Sequence, residues 1–383
     1  MSHSFAIGFS PRIRKSPFFE ATKASGAKAF SVYNHMYMPL YYQSLELDYW
    51  NLIKHASLWD VGVERQVQVK GKDAFLFTQY LTARDLSALK VGQCKYVLIT
   101  DENGGIINDP IILRVDEDLF WISLADSDVL LWAKALAHHL KMDVEISEPD
   151  VSPLQLQGPK SAMIMRALLG EEIDQMKYFT CRWFTFEGMR LLISRTGWSS
   201  ELGFEIFLCD HQKGEQLWNS IMRTGQSFNI APGAPSTIRR IEGAMISHQA
   251  DTSLDENPFE LGLSRLVNLN KDHHFIGREA LEKIAQNPID RCFAGLILEG
   301  QPIKANEHHW MMLDQKNQIF DRRFKITSAV YSPRLKQNLA LALIPAQQSQ
   351  IGTKLRFFDG TNIVSGVVSP IPFYDPKKSL AAT

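Results

Sequence analysis

The chain has 383 residues, 45% of them hydrophobic and 22% charged, which is the composition of a globular protein long enough for two or three domains. Its formal net charge of -1 creates no field that would attract nucleic acid or an anionic membrane surface. The four cysteines are widely spaced without metal-ligand pairing, so we expect neither a zinc site nor a disulfide scaffold. The N-terminus lacks a continuous apolar segment, so the expectation is a cytoplasmic protein without a membrane span.

The N-terminal part is basic up to about Lys28, and we expect an arm that becomes ordered only by packing. An aromatic and methionine-rich loop follows at 33–42. Such a cluster is usually core, and less often lines a cavity whose aromatic faces hold cations or rings. An amphipathic helix ending before Trp59 is predicted next. Its apolar positions are Leu45, Tyr49, Leu52, Ile53 and Ala56.

A compact α+β subdomain is predicted at about 61–149. The pattern is a strand over 61–69, a helix over 73–81, a hairpin, a strand over 119–124, a helix and a last strand over 144–146. Asp126 or Ser127 is expected to cap the second helix. Its shared face contains Val129, Ala133, Leu136 and Leu140. This order is typical of a compact α+β sandwich.

The hairpin at 92–115 places one aromatic and one acidic residue on neighbouring strands. Residues 95–100 and 106–114 favour strands, and 101–105 have turn chemistry, so Tyr96 and Asp109 are expected on paired strands. Pro110 cannot donate a ladder hydrogen bond, so its strand is an edge, ends or bulges there, which re-aims side chains towards a site. The alternative is an ordinary hairpin with a solvated Asp109.

A second strand, turn and helix run begins at 151–159, and later strands are predicted over 189–194 and 203–207. If Phe204 and Ile206 face the core, Glu205 and Phe207 share the opposite face. A carboxylate on a covered face costs desolvation unless a group donates to it, so Glu205 is a candidate ligand contact. The alternative is that this face is wet.

The C-terminal half begins with a short helix that Ser236 is expected to cap. Its inward positions are Ile238, Ile241 and Met245. Arg239, Arg240 and Glu242 face elsewhere. The arginine and glutamate three positions apart, Arg239 and Glu242, are most simply a surface pair worth roughly a few tenths of a kcal/mol. His248 and Asp251 follow, with no third ligand at the spacing that a metal requires.

Another short helix is predicted to start within 275–281, after which the chain turns to β structure. Short strands punctuated by turns predict a separate β-barrel or sandwich from about Gln286. These strands are expected at 292–298, 325–331, 339–344, 354–358 and 364–368.

In their order and spacing, these residues resemble the tetrahydrofolate-dependent aminomethyltransferase family, typified by the glycine-cleavage T-protein. The matching segments are 38–42, 103–109, 156–159, 195–197 with 203–205, 240–242, 275–281 and 328–341. The resemblance implies an α+β, three-domain cloverleaf with a central folate cavity and a C-terminal β-barrel or jelly-roll-like domain. The implied domains are a discontinuous folate-binding core at 1–60 plus 150–285, a ferredoxin-like subdomain at 61–149 and the barrel domain at 286–383.

Within that family, the chain is similar to the bacterial dimethylsulfoniopropionate demethylases. The segments that carry this likeness are 33–35, 59–61 with 64–66, 93–94, 108–110, 148–154 and 197–199. The T-protein has Ser-His-Met where this chain has Gly62-Val63-Glu64, and Asp-Asp where it has Asn108-Asp109. The likeness implies transfer of a methyl group from a sulfonium zwitterion to N5 of tetrahydrofolate.

Three other functions stay open. They are a glycine-cleavage-type aminomethyltransferase, a folate-dependent demethylase of a methylated amine or ether, and a non-enzymatic folate-binding protein. The last is disfavoured because the signature Lys-Gly-Cys-Tyr-x-Gly-Gln is absent. The expected partner is a small-molecule methyl donor, and a homodimer is left open.

The resemblance also assigns roles by position. The implied folate contacts are Tyr96, Phe179, Trp198, Glu205, Phe207 and Arg240, with Glu205 accepting hydrogen bonds from the pterin. Asp109 matches the acidic residue placed near the reactive folate nitrogens. The candidates for holding the cationic donor are Tyr33, Tyr37 and Trp198. The chain departs from the family pattern at Phe207, at Ser200-Glu201 and at His248-Gln249-Ala250-Asp251.

The chemistry distinguishes the two main alternatives. A sulfonium has a neutral leaving group, so positioning and dry surroundings suffice without a general acid. The T-protein reaction expels an amine from a protein-bound lipoyl arm, which requires acid-base assistance and a docking surface for the carrier. We therefore expect Asp109 to act electrostatically or to position water rather than to donate an obligatory proton.

Overall fold

Helices are interspersed among a larger number of strands in the computed structural model, which describes residues 8–382. The helices are α1 Phe19–Ala24, α2 Leu45–Lys54, α3 Ala74–Leu81, α4 Val129–Leu140, α5 Ser161–Leu169, α6 Gly214–Gly225, α7 Thr237–Glu242, α8 Arg278–Ala285 and α9 Ser379–Ala382. In this part of the chain, none of them is long and apolar enough to cross a membrane.

In the described residues the strands form two two-stranded sheets, one five-stranded sheet, one six-stranded sheet and a closed barrel. Their bounds are β1 Ala29–Tyr33, β2 Met36–Tyr41, β3 Ala56–Asp60, β4 Gln66–Lys70, β5 Cys94–Tyr96, β6 Ile99–Thr100, β7 Ile106–Asn108, β8 Ile111–Asp116, β9 Leu119–Ser123, β10 Glu145–Ser147, β11 Ser152–Gln157, β12 Cys181–Phe186, β13 Met189–Ser194, β14 Gly203–Leu208, β15 Ile230–Gly233, β16 Arg291–Leu298, β17 Trp310–Met312, β18 Lys325–Ser332, β19 Gln337–Pro345, β20 Lys354–Phe358 and β21 Ile363–Ser369.

One compact unit combines the chain up to Gln66 with Glu148–Ser236. Its six-stranded sheet has the order β12-β13-β14-β11-β3-β15, and only the β15–β3 pair within it is parallel. Alternation along β11 and β14 sends one set of side chains into the apolar core, as predicted for Phe204 and Ile206. Helices α5 and α6 cover that core, and the polar members of the same strands lie on the opposite face.

The second unit comprises Val67–Ser147 and Thr237–Ala382. It contains a five-stranded sheet of order β10-β4-β9-β8-β5, whose core includes side chains of α3 and α4. The C-terminal strands close into a barrel of order β16-β19-β18-β17-β20-β21, which confirms the predicted β-barrel. Because the barrel is closed, each strand has a hydrogen-bonded neighbour on both sides, and no strand edge needs to be covered by another element.

Several predicted boundaries were wrong, and most errors lie where one element passes directly into the next. Residues 33–42 form most of a β-hairpin, β1–β2, rather than a loop. Helix α2 ends at Lys54, and Ala56 already belongs to β3. The strand predicted from Val61 begins at Gln66. In the N-terminal arm, residues 1–7 lie outside the described part, whereas Phe19 starts α1.

The predicted helix ends need similar corrections. The N-cap of α4 is Asp128 rather than Asp126 or Ser127. Helix α7 ends at Glu242, so Met245 lies beyond it, and α8 starts only at Arg278, after Gly277. Gly277 has φ +84° as the N-cap residue, a conformation that glycine adopts without strain.

Candidate active site

A row of polar side chains crosses the six-stranded sheet. Ser194 of β13 pairs with Glu205 of β14, which pairs with Gln155 of β11. Directly paired residues project to the same face, so the three side chains are neighbours. Glu205 is 4% exposed and Gln155 is 1% exposed, which excludes the expected alternative of a wet face.

Neutral groups hold the Glu205 carboxylate. Gln155 Nε2 donates to Oε1 at 2.8 Å, Thr196 Oγ1 donates to Oε2, and Ser194 Oγ lies 3.2 Å from Oε2. Burial raises the pKa of Glu205, and the three hydrogen bonds oppose that rise. The carboxyl group is therefore a buried acceptor whose charge gains further stabilisation from any additional donor.

The glycine-flanked loop before β14 brings Thr196 and Trp198 to this row. A side chain at Gly197 or Gly203 would come within 2.3 Å of the Gln157 amide, so the loop closes tightly only because both positions are glycine. Trp198 is partly buried, and its backbone N–H lies 3.4 Å from Gln155 Oε1.

Other predicted contacts in this unit differ in their accessibility. Phe207 is fully buried on the face that Glu205 shares, as predicted from the alternation. Phe179 is partly buried with φ +60°, and its ring makes an edge contact with Tyr178. Tyr33 ends β1 and is partly buried.

Tyr37 is enclosed by aromatic rings. It has no exposed surface, and its ring lies 5.0 Å from that of Phe9 and 5.6 Å from that of Phe19. Its hydroxyl accepts from the Ser10 N–H at 2.8 Å and donates to the Gly8 carbonyl at 3.2 Å. This is the core arrangement anticipated for the cluster, so a substrate contact by Tyr37 stays a prediction that the packing does not favour.

In the second unit, the predicted hairpin carries Tyr96 and Asp109 close together. Tyr96 lies on β5 and pairs with Ile111 of β8, whereas Asp109 lies in the interruption between β7 and β8, so the prediction that both residues lie on paired strands was wrong for Asp109. The Tyr96 hydroxyl donates to Asp109 Oδ2 at 2.9 Å. The prediction that the strand breaks at Pro110 is confirmed, and the break lets the Asp109 side chain leave the pleat.

Burial raises the pKa of Asp109 to about 7; the Tyr96 hydrogen bond opposes this rise, and the nearby Asp251 carboxylate adds to it. Burial and the Asp109 charge raise the pKa of Tyr96 well above its usual value. Asp109 therefore changes its protonation near neutral pH, while Tyr96 remains a hydrogen-bond donor.

Arg240 belongs to a buried hydrogen-bond network. Its guanidinium donates to Asp251 Oδ2 at 2.5 Å and to Ser328 Oγ at 2.6 Å. Asp251 Oδ1 also accepts from Thr327 and Ser328 at 2.6 Å. The other two charged residues of α7, Arg239 and Glu242, are fully buried, so the prediction that they form a surface pair was wrong. A folate contact by Arg240 stays a prediction, since these atoms already have structural partners.

Three residues of this site, Gln155, Ser194 and Thr196, were not predicted from the sequence. A signal for Gln155 was present, because β11 reads Leu154-Gln155-Leu156-Gln157 and its period of two assigns both glutamines to the face opposite the leucines. Ser194 and Thr196 had no comparable signal. Within residues 8–382, no group of three or more histidine, cysteine or acidic side chains is arranged to hold a metal ion.

Comparison with known proteins places both parts of the chain. Residues 18–271 match the GCVT N-terminal domain family, and residues 291–375 match the glycine cleavage T-protein C-terminal barrel domain. A dimethylsulfoniopropionate demethylase of Ruegeria pomeroyi is 35% identical, over 90% of this chain and 93% of the relative. Aminomethyltransferases of Desulfitobacterium hafniense and Thermotoga maritima are 31% and 32% identical, each over 94% of this chain and 98% of the relative.

The solved structure of glycine cleavage system aminomethyltransferase T from Bartonella henselae has a TM-score of 0.83 and 25% identity, covering 95% of this chain and 99% of that one. The fold and these matches define a tetrahydrofolate-dependent transferase, so the chain is an enzyme that uses tetrahydrofolate. It belongs to the glycine cleavage T-protein family. The expected α+β aminomethyltransferase fold with a C-terminal barrel is thereby confirmed.

Proposed function

We propose that the enzyme transfers a methyl group from dimethylsulfoniopropionate to tetrahydrofolate and releases methylmercaptopropionate. The 35% identity with the Ruegeria pomeroyi demethylase supports this donor. The main structural support is that Asp109 follows Asn108, whose side-chain amide donates to the Ala125 carbonyl and to the Ser127 hydroxyl. The residue that the T-protein has as a second acid is thus a structural amide here, which suits a donor that needs no acid.

The Glu205 site fits the pterin. A carboxylate has about four acceptor positions, and the neutral donors Gln155, Thr196 and Ser194 leave part of this capacity unused. The pterin edge is rich in N–H donors, and its binding would offset the desolvation that raises the pKa of Glu205. In this proposal Phe207 and Trp198 contribute ring contacts.

When bound, tetrahydrofolate supplies the N5 lone pair that accepts the methyl group, while the sulfur keeps the electrons of the broken bond and the N5 proton passes to water. The protein's part is to hold both reactants and to exclude bulk water. Asp109 provides a negative potential above its pKa, and Tyr96 keeps the carboxyl group oriented.

The runner-up is an aminomethyltransferase activity. It is favoured by the relatives of that name at 31% and 32% identity and by the Bartonella henselae fold match. Its folate product is methylenetetrahydrofolate rather than 5-methyltetrahydrofolate, and its donor is attached to a carrier protein.

The deciding experiment incubates the purified enzyme anaerobically with tetrahydrofolate and dimethylsulfoniopropionate, followed by mass spectrometry. We expect 5-methyltetrahydrofolate and methylmercaptopropionate in equal amounts. Methylenetetrahydrofolate formed from an aminomethyl donor would establish the runner-up. If tetrahydrofolate binds and neither product forms, the proposed donor is wrong, and betaines, methylated amines and aryl methyl ethers are tested next.

Asp109→Asn tests the electrostatic role. We expect turnover within about tenfold of the unchanged enzyme at pH 8, and loss of an inflection near pH 7 in kcat/KM, because asparagine has no proton to titrate. The raised pKa of Asp109 means that the folded state loses stability as pH rises from about 4 to about 7. The gain in Tm of the variant over the unchanged enzyme should therefore be larger at pH 8 than at pH 4. A collapse of turnover with folate still bound would instead establish proton transfer.

Gln155→Met tests the support of Glu205. The hydrogen bond from Gln155 lowers the pKa of Glu205, so the substitution should raise that pKa further. As the pH is lowered, tetrahydrofolate binding should therefore be lost at a higher pH than in the unchanged enzyme. At pH 8 the affinity should fall about tenfold. Titration calorimetry from pH 5 to pH 8 measures both effects. Gln66→Met is the control, because its amide donates to the Glu64 carbonyl and should leave the pH dependence unchanged.

A further inference from the structure

A group of cations lies beside the Tyr96–Asp109 pair, at positions to which neither the comparisons nor the expected folate contacts assign a role. We propose that Arg84 and Arg265 bind the carboxylate of the methyl donor, an inference that rests on the function proposed above. It makes the two arginines specificity residues for a zwitterion, a donor that carries a carboxylate as well as its cationic, methyl-bearing centre.

Tyr96 connects Asp109 with Arg84. The Tyr96 hydroxyl donates to Asp109 Oδ2 at 2.9 Å, and the Tyr96 backbone carbonyl accepts from Arg84 Nη1 at 2.7 Å. Lys95, the preceding residue on β5, donates from Nζ to the Asp85 carbonyl at 3.0 Å. These reciprocal bonds fix the Arg84 guanidinium beside the hairpin that carries Asp109.

Arg265 reaches the same place from a different part of the chain. Leu263 and Leu266, which flank it, belong to the apolar cluster against which Tyr96 packs. The Arg265 charge opposes the rise in the pKa of Tyr96 that burial and Asp109 cause. Arg265 itself is exposed, and no acidic side chain in the described part of the chain forms an ion pair with it. It is therefore a cation near Tyr96 that a ligand can reach.

The positive charges of this group are only partly compensated. Burial lowers the pKa of Arg84, and the Arg265 charge lowers it further. Burial and the Arg84 charge lower the pKa of Lys95, whereas the Asp85 carboxylate, itself 3.7 Å from Lys271 Nζ, opposes that change. Within residues 8–382, the Arg84 and Lys95 side chains bond to carbonyl oxygens and to no carboxylate. A bound carboxylate would relieve the repulsion between these cations.

The charges around Tyr96 are complementary to a zwitterion. Ionised Asp109 attracts the cationic centre that carries the methyl group, and the two arginines attract a carboxylate. A guanidinium presents its N–H donors in a planar fork that meets a carboxylate with two parallel hydrogen bonds. Arg84 uses only Nη1 for the Tyr96 carbonyl, so donors are left for a ligand. Dimethylsulfoniopropionate has both charges on one short chain and matches this arrangement.

The test compares dimethylsulfoniopropionate with its amide, 3-(dimethylsulfonio)propanamide, by kcat/KM of methyl transfer to tetrahydrofolate in the full-length enzyme. Both compounds carry the sulfonium, and only the first has a carboxylate. We expect Arg265→Met and Arg84→Met each to lower kcat/KM for the zwitterion about tenfold, mainly through KM, and to leave the amide unchanged. Arg265→Lys should retain part of the preference. The exposed Arg322→Met, in the same unit, is the control for a general change of net charge.

Three outcomes contradict the inference. An equal loss for both compounds would make the arginines structural residues, and an unchanged preference for the zwitterion would remove them from the donor site. Weaker binding of tetrahydrofolate together with unchanged binding of tetrahydropteroate, which lacks the glutamate, would assign the arginines to the folate glutamate instead. Because Arg265 is exposed, its variant decides the matter even if Arg84→Met fails to fold.

Failure of the proposed donor is a separate result. If no methyl group is transferred from either compound, calorimetric affinities of the same pair are measured with tetrahydrofolate present. Tighter binding of the zwitterion, lost in Arg265→Met, would support carboxylate recognition without that reaction. Equal affinities in the unchanged enzyme, or no binding of either compound, would overturn the inference.

Discussion

Glu205→Gln is expected to weaken tetrahydrofolate binding about a hundredfold, with little loss of protein stability. The glutamine amide replaces one acceptor by a donor. This donor would oppose the pterin N–H groups, whereas the Ser194 and Thr196 hydroxyls can rotate to accept from it. A lost hydrogen bond to a buried charge costs about 3 kcal/mol, which is about a hundredfold in affinity. Calorimetric titration with tetrahydrofolate measures the loss.

The stability of that variant supplies an independent check. Burial raises the pKa of Glu205 above its ordinary value of 4.5. The ionised side chain therefore costs folding stability as the pH rises from about 4.5 through the raised pKa. Glutamine has no such cost, and we expect an equal or higher Tm at pH 8. Exposed Glu172→Gln, in the same unit, should change neither quantity. Unchanged folate affinity in a folded Glu205→Gln enzyme would remove Glu205 from the folate site.

Arg240→Met is expected to lower the stability of its unit by about 3–5 kcal/mol, because it leaves the buried Asp251 charge without its cation. For a unit of this size, that loss corresponds to a fall in Tm on the order of 10 °C. Thermal unfolding followed by circular dichroism measures the change. The matched control is Arg166→Met, which removes an exposed ion pair with Glu171 and should cost about 0.5 kcal/mol or less.

A double variant separates the two roles considered for Arg240. Adding Asp251→Asn removes the unpaired charge, so part of the lost stability should return. A structural residue would show this recovery, with folate affinity close to normal in the double variant. Stability that hardly changes in Arg240→Met, together with a large loss of folate affinity, would instead assign Arg240 to the folate site.

Local sequence patterns predicted much of the fold. The turn residues between 101 and 105 and the strand-forming residues on either side are close in sequence, and the hairpin with its break at Pro110 formed as expected. Five of the six C-terminal strands were predicted for the same reason, whereas the three-residue strand β17 was missed. Errors occurred where periodicity did not change at the boundary, as at Ala56, where a helix face continues directly into the buried strand β3.

The candidate site was less accessible to sequence reasoning because its partners come from separate parts of the chain. Alternation correctly placed Glu205 and Phe207 on one face, but could not say whether that face was covered. Helix α7 was misjudged for a similar reason. Three charged residues in one short helix read as a solvated face, and only long-range contacts such as that of Arg240 with Ser328 made their burial tolerable.

The sequence alone determined many of the elements, the shared face of Glu205 and Phe207, the barrel and, through family resemblance, the transferase class, because these depend on local pattern or on ordered motifs. Only the tertiary structure decided that Glu205 is buried among Gln155, Ser194 and Thr196, and that Asp109 has a pKa of about 7. Sheet register brings residues 50 positions apart to 2.8 Å, and burial sets the free energy of their charges. The periodicity of a short sequence segment encodes neither the strand register nor the burial of a charge.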